Sequence, residues 1–415
     1  LMEKYRWSEE VFEGLRSNII AALDLSREQN DEEIYRFIEK EVEEYSRENL
    51  LTLKEREKLE HLLFNSLRKY DAIQELLEDP EVTEIMINGA SHIFYEKKGK
   101  LFQAQTHFSS EQKLSDVIQQ MAGNSNRMVN EASPIVDTRL ADGSRVNIVL
   151  SPIAIDGAAV SIRKFPQMPI LMEDLIRIGS ITEEAAAFLK MLVTAGYNIF
   201  ISGGTGSGKT TFLNALSQYI PREERIITIE DSAELRLVDK PNLVRLETRN
   251  QMFEGVKPVT IRDLIRTALR MRPERIIVGE CRGEEALDML QAMNTGHDGS
   301  LSTGHANSCR DMMSRLETMV LMGMELPLTA IRSQIASGLD ILVHLGRMRD
   351  KSRKVLSITE VIGMQEGEIV LKDLYHYVEK PSDMEKVCGE LKRMGTLFHQ
   401  EKCKRAGMGL SDTGG

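Results

Sequence analysis

The stretch of sequence that decides the fold is Gly203-Gly-Thr-Gly-Ser-Gly-Lys-Thr210. It follows a predicted strand at Asn198–Ser202 and precedes a predicted helix at Lys209–Tyr219, which is the context that the phosphate-binding pattern G-x-x-x-x-G-K-[S/T] requires. The glycines let the backbone curl so that its N–H groups point at phosphate oxygens, and the helix N-terminus adds a partial positive charge. This segment therefore predicts a P-loop that binds a nucleoside triphosphate.

The side chains of the P-loop have separate predicted roles. Lys209 is expected to reach the β- and γ-phosphates, and the hydroxyl of Thr210 is expected to hold Mg²⁺. The predicted cofactors are therefore ATP and Mg²⁺, and the predicted activity is that of an ATPase. The predicted nucleotide-binding residues are Gly203, Gly204, Thr205, Gly206, Ser207, Gly208, Lys209, Thr210 and Thr211.

Carboxylates follow two further apolar runs downstream of the P-loop. The run Arg275–Gly279 ends at Glu280, which fits a Walker B strand whose carboxylate holds a water on Mg²⁺ or polarises the attacking water. The run Arg225–Ile229 is followed by Glu230-Asp231-Ser-Ala-Glu234, and open α/β sheets bind ligands at the carboxyl ends of their strands. These acids could orient water or metal, or they could serve only as turn and helix-capping groups.

Small polar residues cluster between Gly296 and Asn307. Ser302, Thr303 and His305 are expected at the end of a strand, where they could sense the γ-phosphate by hydrogen bonding. An ordinary structural role is the alternative for a single histidine such as His305.

The order of elements predicts an α/β fold. From about Leu171 onward, continuous apolar strands alternate with helices, which is typical of a parallel sheet covered on both faces. Before that point, short β-like runs surround a predicted helix at Glu111–Met121, and apolar residues spaced three and four apart predict helices before residue 68. The predicted divisions are an N-terminal helical region (1–68), an α/β domain (69–165), a linker (166–178), an ATPase domain (179–380) and a charged, helical tail (381–415).

Composition narrows the class of protein. The chain has 415 residues with 41% hydrophobic and 28% charged residues, which is typical of a globular protein. No stretch approaches the roughly 18 consecutive apolar residues of a spanning helix, and the first ten residues lack the apolar segment of a signal peptide, so a cytoplasmic location is expected. The net charge of −11 argues against a nucleic-acid partner, and four scattered cysteines without a C-x-x-C pair argue against zinc.

Taken in order, these segments resemble the motifs of the secretion ATPase superfamily of bacterial type II and type IV secretion and pilus systems. The corresponding boxes are the P-loop, the Asp box Thr228–Glu234, the Walker B residue Glu280 and the His box Thr303–Asn307. Three longer stretches resemble more closely the CpaF-type ATPases of tight-adherence (Tad/Flp) pili. They are Asp137–Asn147, Leu269–Glu280 and Ala286–His297.

The resemblance implies a RecA-like P-loop ATPase domain preceded by a PAS-like α/β domain, with nucleotide bound at their junction. It also implies that Arg145 and Arg163 approach the γ-phosphate, with Arg139 as a further candidate for nucleotide binding, because a guanidinium neutralises charge that develops during phosphoryl transfer. In the same way Glu234 would be the base that activates water, and Glu280 the carboxylate on the Mg²⁺ side. His305 would be a sensor of phosphate or of a subunit interface.

Two departures from the family pattern matter. Gly304 stands where the family usually carries a branched apolar residue, so we expect His305 to be held loosely. The tetracysteine zinc module common in type II secretion ATPases is absent, which favours the Tad or type IV secretion branch.

The resemblance further implies a homo-hexamer that associates peripherally with the inner membrane. Motion at the Phe165–Pro169 linker would be passed to inner-membrane platform proteins that move pilin. Three other functions stay open at this point: a nucleotide-dependent scaffold with slow hydrolysis, a small-molecule P-loop kinase, and a DNA-translocating motor. The acidic balance of the chain disfavours the last of these.

Overall fold

Helices with one apolar face begin the described part of the chain. The computed structural model describes residues 7–23, 29–125, 127–164, 169–249, 257–380 and 387–408. Asn30 and Thr52 each form a capping box, which satisfies backbone N–H groups at the start of the second and third helices. The apolar faces pack together around fully buried Leu59 and Leu63. These helices are α1 Glu9–Ala22, α2 Asp31–Asn49 and α3 Leu53–Arg68.

An antiparallel sheet with one covering helix follows in the same compact unit, which spans Leu1–Gln167. Its strand order is β3-β2-β1-β6-β5-β4, and its buried residues form one apolar core. The mixed α/β character predicted for this region, with a helix that begins at Glu111 between short strands, is confirmed. The elements are α4 Gln74–Glu78, β1 Val82–Asn88, β2 His92–Lys97, β3 Lys100–Gln103, α5 Glu111–Gly123, β4 Ile135–Arg139, β5 Arg145–Val149 and β6 Ala159–Arg163.

Strands and helices alternate in the second compact unit, which spans Met168–Gly415. Residues 166–168 of the predicted linker lie outside the described residues, and helix α6 occupies part of its remainder. The elements of the first half are α6 Met172–Arg177, α7 Glu183–Thr194, β7 Ile199–Gly203, α8 Lys209–Ser217, β8 Ile226–Glu230, β9 Leu243–Glu247, α9 Ile261–Ala268 and β10 Arg275–Val278. Those of the second half are α10 Glu285–Asn294, β11 Leu301–Gly304, α11 Cys309–Gly323, α12 Leu328–Gly338, β12 Ile341–Arg347, β13 Arg353–Gln365, β14 Glu368–Lys380, β15 Cys388–Arg393 and α13 Glu401–Arg405.

The sheet of this second unit is mixed rather than wholly parallel. Among the described residues its strand order is β15-β14-β13-β12-β7-β11-β10-β8-β9, and the strands from β12 to β9 are parallel. The strands that alternate with helices are parallel, as predicted, and strands β13 to β15 add antiparallel pairs at one edge. The prediction of a helical tail is wrong at 388–393, which form strand β15. Strand β15 is mostly exposed and carries several charged residues, which made it resemble a charged helix in the sequence.

The strand order decides where a ligand can bind. Strand β11 lies between the P-loop strand β7 and strand β10, which precedes Glu280. One apolar cluster packs on each face of this sheet, so the central strands are buried on both sides. The parallel strands bring their carboxyl ends to one edge, which is where open α/β sheets form their binding crevice.

Candidate functional site

The loop between β7 and α8 has the backbone of a phosphate cradle. Gly206 and Gly208 have φ angles of +70° and +92°, in the left-handed region that favours glycine. A side chain at Gly203 would place its Cβ 2.6 Å from the carbonyl oxygen of Leu345, so the close approach of β12 also requires glycine. Ser207 is buried, and its Oγ has no hydrogen-bond partner within the described residues. An anion that accepts from this hydroxyl and from the loop amides fits the site.

Lys209 is the first residue of α8, and its ammonium group folds back over the loop. Its Nζ donates to the carbonyl oxygens of Gly203 and Gly204, each at 3.1 Å, and lies 3.3 Å from Nδ1 of His305. Burial is the largest cause that lowers the pKa of Lys209, and the charge of Glu280 opposes it. The group therefore lies at the site where the motif places a phosphate-binding lysine, held by weak carbonyl contacts that a phosphate can replace.

His305 connects the lysine to the carboxylate that follows β10. Its Nε2 lies 2.7 Å from Oε1 of Glu280, on the opposite side of the ring from Lys209. Desolvation, followed by the charge of Lys209, lowers the pKa of His305, so the ring is neutral at pH 7. The ammonium group of Lys209 can only donate, so Nδ1 accepts from it, and the proton of the neutral ring lies on Nε2, which faces the carboxylate of Glu280.

Gly304 does not loosen His305, so that expectation is wrong. A Cβ at Gly304 would lie 2.9 Å from Cε1 of Phe200 and 3.1 Å from Cε of Met312. The glycine leaves room for this packing beneath β11, while Lys209 and Glu280 hold the histidine from the other side. A branched residue at this position would require a smaller neighbour than phenylalanine.

Glu280 is also tied to the loop that follows β8. Arg282 donates from Nη2 to Oε2 of Glu280 at 2.6 Å, and its Nη1 lies 3.8 Å from a carboxylate oxygen of Asp231. The hydrogen bond to Glu280 is the largest cause that raises the pKa of Arg282. The described side chains thus form a continuous polar series from Lys209 through His305, Glu280 and Arg282 to Asp231.

Glu234 and Glu230 differ in their surroundings, although the sequence places both in one acidic segment. Glu230 ends β8 and is buried, with 3% of its surface exposed, and it accepts from the backbone N–H groups of Glu234 and Leu235. Glu234 is half-buried in the loop beyond. The sequence predicts a separate role for Glu234 but gives Glu230 only the role it shares with the other acids of this segment, because a strand-terminal acid gives no sequence signal of its burial.

Arg353 at the start of β13 is a second residue that the sequence analysis missed. Its Nε donates to the carbonyl oxygen of Gly206 at 3.2 Å, at the tip of the P-loop. In the register of β12 and β13, Arg347 is its direct partner, so two guanidinium groups occupy paired positions beside the loop. The antiparallel edge of the sheet brings them there, and 137 or more residues of sequence separate them from the P-loop.

The three arginines chosen from the resemblance lie in the first unit, on neighbouring strands. In the register of the sheet Arg139 pairs with Arg145, and Arg145 pairs with Arg163. Nε of Arg163 is 3.9 Å from a carboxylate oxygen of Glu84, and its side chain remains 66% exposed. The three side chains thus stand at one level of the sheet, and their role toward nucleotide stays a prediction. Thr205, Thr210 and Thr211 of the P-loop likewise keep their predicted roles.

Comparison with known proteins places this architecture in a family. The family described as "Type II/IV secretion system protein" matches residues 67–396. A putative conjugal transfer protein of Mycobacterium tuberculosis is 34% identical over 317 residues, which cover 75% of this chain and 89% of the relative. The type IV secretion system protein VirB11 of Brucella suis is 34% identical over 297 residues, or 65% of this chain and 82% of the relative.

Solved structures agree on the fold. The crystal structure of the pilus retraction motor PilT with bound ADP covers 80% of this chain and 85% of its own, with a TM-score of 0.51 and 20% identity. At 20% sequence identity, this similarity supports a shared fold and nothing further. The predicted fold class, an α/β domain followed by a RecA-like P-loop ATPase domain, is confirmed. Over the described residues we find no helix with the length and apolar character needed to span a membrane.

Proposed function

Because this chain belongs to the type II/IV secretion ATPase family, we propose that it is an ATP-hydrolysing, hexameric motor for pilus assembly or protein secretion at the bacterial inner membrane. Within the family we propose the CpaF-type branch of Tad/Flp pili, on the resemblance of the stretches at 137–147, 269–280 and 286–297. The observation that carries the proposal is the series of contacts that joins Lys209, His305 and Glu280 beside the P-loop.

Several polar groups of this site are available to bind the phosphates of ATP. The buried hydroxyl of Ser207 and the backbone amides of the loop would hold phosphate oxygens, and Lys209 would exchange its carbonyl contacts for the β- and γ-phosphates. Thr210 and Glu280 would hold Mg²⁺ directly or through water, since hydroxyl and carboxylate oxygens suit this ion. Bound Mg²⁺ would neutralise charge on the phosphates during their transfer.

The other predicted site residues would each have a separate role in ATP hydrolysis. Glu234 would activate the attacking water as a general base, and His305 would report the presence of the γ-phosphate through its contacts with Lys209 and Glu280. Arg145 and Arg163 would supply positive charge to the γ-phosphate in the nucleotide-bound state, as arginine fingers do, with Arg139 beside them. Loss of the γ-phosphate would remove these contacts and so bias a conformational equilibrium that does mechanical work.

The first experiment compares ATP hydrolysis by the wild type, by Lys209→Ala and by Lys404→Ala, in which an exposed lysine of the same unit is removed. We expect Lys209→Ala to lower kcat by on the order of 100-fold or more, because a preorganised donor on the transferring phosphate is lost. Lys404→Ala should match the wild type. Equal turnover by Lys209→Ala and the wild type would overturn the proposal.

A second experiment tests the ring and its partners. Light scattering with and without a non-hydrolysable ATP analogue should give a species of six times the chain mass, and a monomer under both conditions would contradict the hexamer. Hydrolysis should rise when inner-membrane vesicles that contain platform proteins are added. Turnover that ignores the vesicles would instead favour a slowly hydrolysing scaffold, and turnover that rises with DNA would favour a translocating motor.

A further inference from the structure

A carboxyl group that the proposed reaction does not use is buried beside the site. Glu230 ends strand β8, its side chain is 3% exposed, and its Oε2 has no hydrogen-bond partner within the described residues. Transfer of a carboxyl group from water to the protein interior is costly unless its contacts compensate. The contacts that Glu230 makes therefore indicate what it does.

Those contacts hold the backbone on which Glu234 is mounted. Oε1 of Glu230 accepts from the N–H of Glu234 at 2.8 Å and from the N–H of Leu235 at 3.0 Å. The side chain of Leu235 is fully buried in the core beneath the sheet, so the loop is anchored on its far side as well. The loop that carries Glu234 is therefore held by the carboxyl oxygen of Glu230 and by the buried side chain of Leu235.

The other side of Glu230 faces the strand end that leads to Glu280. A Cβ built at Gly279 would lie 2.9 Å from Cγ of Glu230, so only glycine at this position leaves room for the carboxyl group. The N–H of Gly279 also donates to the carbonyl oxygen of Ile229 at 2.8 Å, which ties the two strand ends together. One side chain therefore contacts both the loop of Glu234 and the residue that precedes Glu280.

We propose that Glu230 is a positioning residue for ATP hydrolysis, which sets the backbone of Glu234 relative to Glu280 through its two backbone hydrogen bonds. The inference rests on the proposed function, because it assigns Glu230 a role in that reaction. A displacement of about 1 Å in a reacting group can lower a rate on the order of 100-fold, so the orientation of this short loop has a measurable effect.

A second buried glutamate provides a matched control. Glu360 on β13 is 1% exposed and accepts from two successive backbone N–H groups, those of Phe398 at 2.8 Å and His399 at 2.7 Å. It makes the same kind of contact in the same unit, but in a loop that carries no proposed site residue. Loss of either carboxyl group should weaken the fold, whereas only loss of Glu230 should affect hydrolysis.

The test measures kcat and KM for ATP in Glu230→Gln, Glu230→Leu and Glu360→Leu. Glutamine keeps an oxygen that can accept from both amides, so its kcat should stay within threefold of the wild type. Leucine fills a similar volume without an acceptor, so kcat should fall by about tenfold to 100-fold while KM changes by less than threefold. Glu360→Leu should lower the thermal midpoint but keep kcat within twofold of the wild type.

A double variant separates positioning from general damage. In Glu234→Gln, further replacement of Glu230 by leucine should reduce kcat by less than threefold, because the group that Glu230 positions is already lost. A full additional loss, or a Glu230→Leu variant with wild-type kcat, overturns the inference. If Glu230→Leu does not fold, Glu230→Met replaces it, since the flexible thioether also lacks a strong acceptor.

The outcomes distinguish this inference from the proposed function. A wild type that does not hydrolyse ATP overturns both. Normal hydrolysis by the wild type and loss in Lys209→Ala, together with equal kcat in Glu230→Leu and Glu360→Leu, overturns the positioning role alone.

Discussion

The buried carboxyl group of Glu230 makes the stability of the C-terminal unit depend on pH in a direction that can be worked out. Burial raises the pKa of Glu230 from 4.5 to about 7. The two backbone hydrogen bonds and the charge of Arg245 lower the pKa, whereas the charge of Glu234 raises it. The folded unit therefore binds this proton more tightly than the unfolded chain does.

The sign of the effect follows from proton binding. Below pH 4.5 the group is protonated in both states, so the favourable effect of the bound proton is fully present. Between pH 4.5 and about 7 the unfolded chain releases the proton and the folded unit keeps it, so the free energy of unfolding falls as the pH rises. Each pH unit of this window is worth about 1.4 kcal/mol, which gives a total loss of about 3 kcal/mol above pH 7.

Glu230→Gln removes this dependence because its amide does not titrate. Urea unfolding at about pH 5 and about pH 8, followed by pulsed hydrogen–deuterium exchange of peptides from β8 and β10, reports on this unit alone. The free energy of unfolding of the wild type minus that of the variant should fall by about 2–3 kcal/mol between the two conditions. Titrating groups common to both proteins cancel in the difference.

The control is Glu223→Gln, which removes an exposed carboxyl group of the same unit. Its difference from the wild type should change by less than about 0.5 kcal/mol between the two conditions, as is usual for surface substitutions. A difference for Glu230→Gln that stays constant or increases with pH would refute the account of Glu230 as a buried group that holds its proton.

Two further predictions concern glycines that make room for neighbours. Gly304→Ala should cost about 1–3 kcal/mol of stability through overpacking against Phe200, and Phe200→Leu in the same chain should recover part of that cost in urea unfolding. Additive costs would contradict the packing account. Gly299→Ala would place its Cβ on the guanidinium group of Arg275. Gly296 also has a positive φ angle, but a Cβ there would meet no other atom within 4 Å. Gly299→Ala should therefore lower the free energy of unfolding by several kcal/mol more than Gly296→Ala does. Equal thermal midpoints for these two variants would show that the backbone conformation alone matters.

The sequence predicted structure best at positions where the local structure allows few residue types. The P-loop glycines, Lys209 and the apolar strand before Glu280 predicted β7, α8 and β10 to within a residue or two at most ends. Burial on both faces makes such strands continuously apolar, so that their pattern is unambiguous. The antiparallel strands β13 and β14 mix polar and charged residues with apolar ones and show no continuous apolar run, so the sequence pattern did not reveal them.

Residues that depend on distant parts of the chain were harder to predict. Glu230 looked like its neighbours Asp231 and Glu234, and only the packing of Gly279 against it shows that it is buried and holds the backbone. Arg353 approaches the P-loop because β12 pairs with both β7 and β13, a pairing that no local pattern encodes. The expectation for Gly304 was wrong for the same reason, since the room it gives to Phe200 exists only after β7 and β11 pair.

The phosphate-binding loop is thus a property of the sequence alone, because eight adjacent residues decide the backbone conformation and the helix that follows it. The tertiary structure decided which groups face that loop. Lys209, His305 and Glu280 come from three segments up to 96 residues apart. They come into contact one after another only because of the order of β7, β11 and β10 in the sheet. Local sequence decides backbone shape, whereas long-range strand pairing decides which side chains meet.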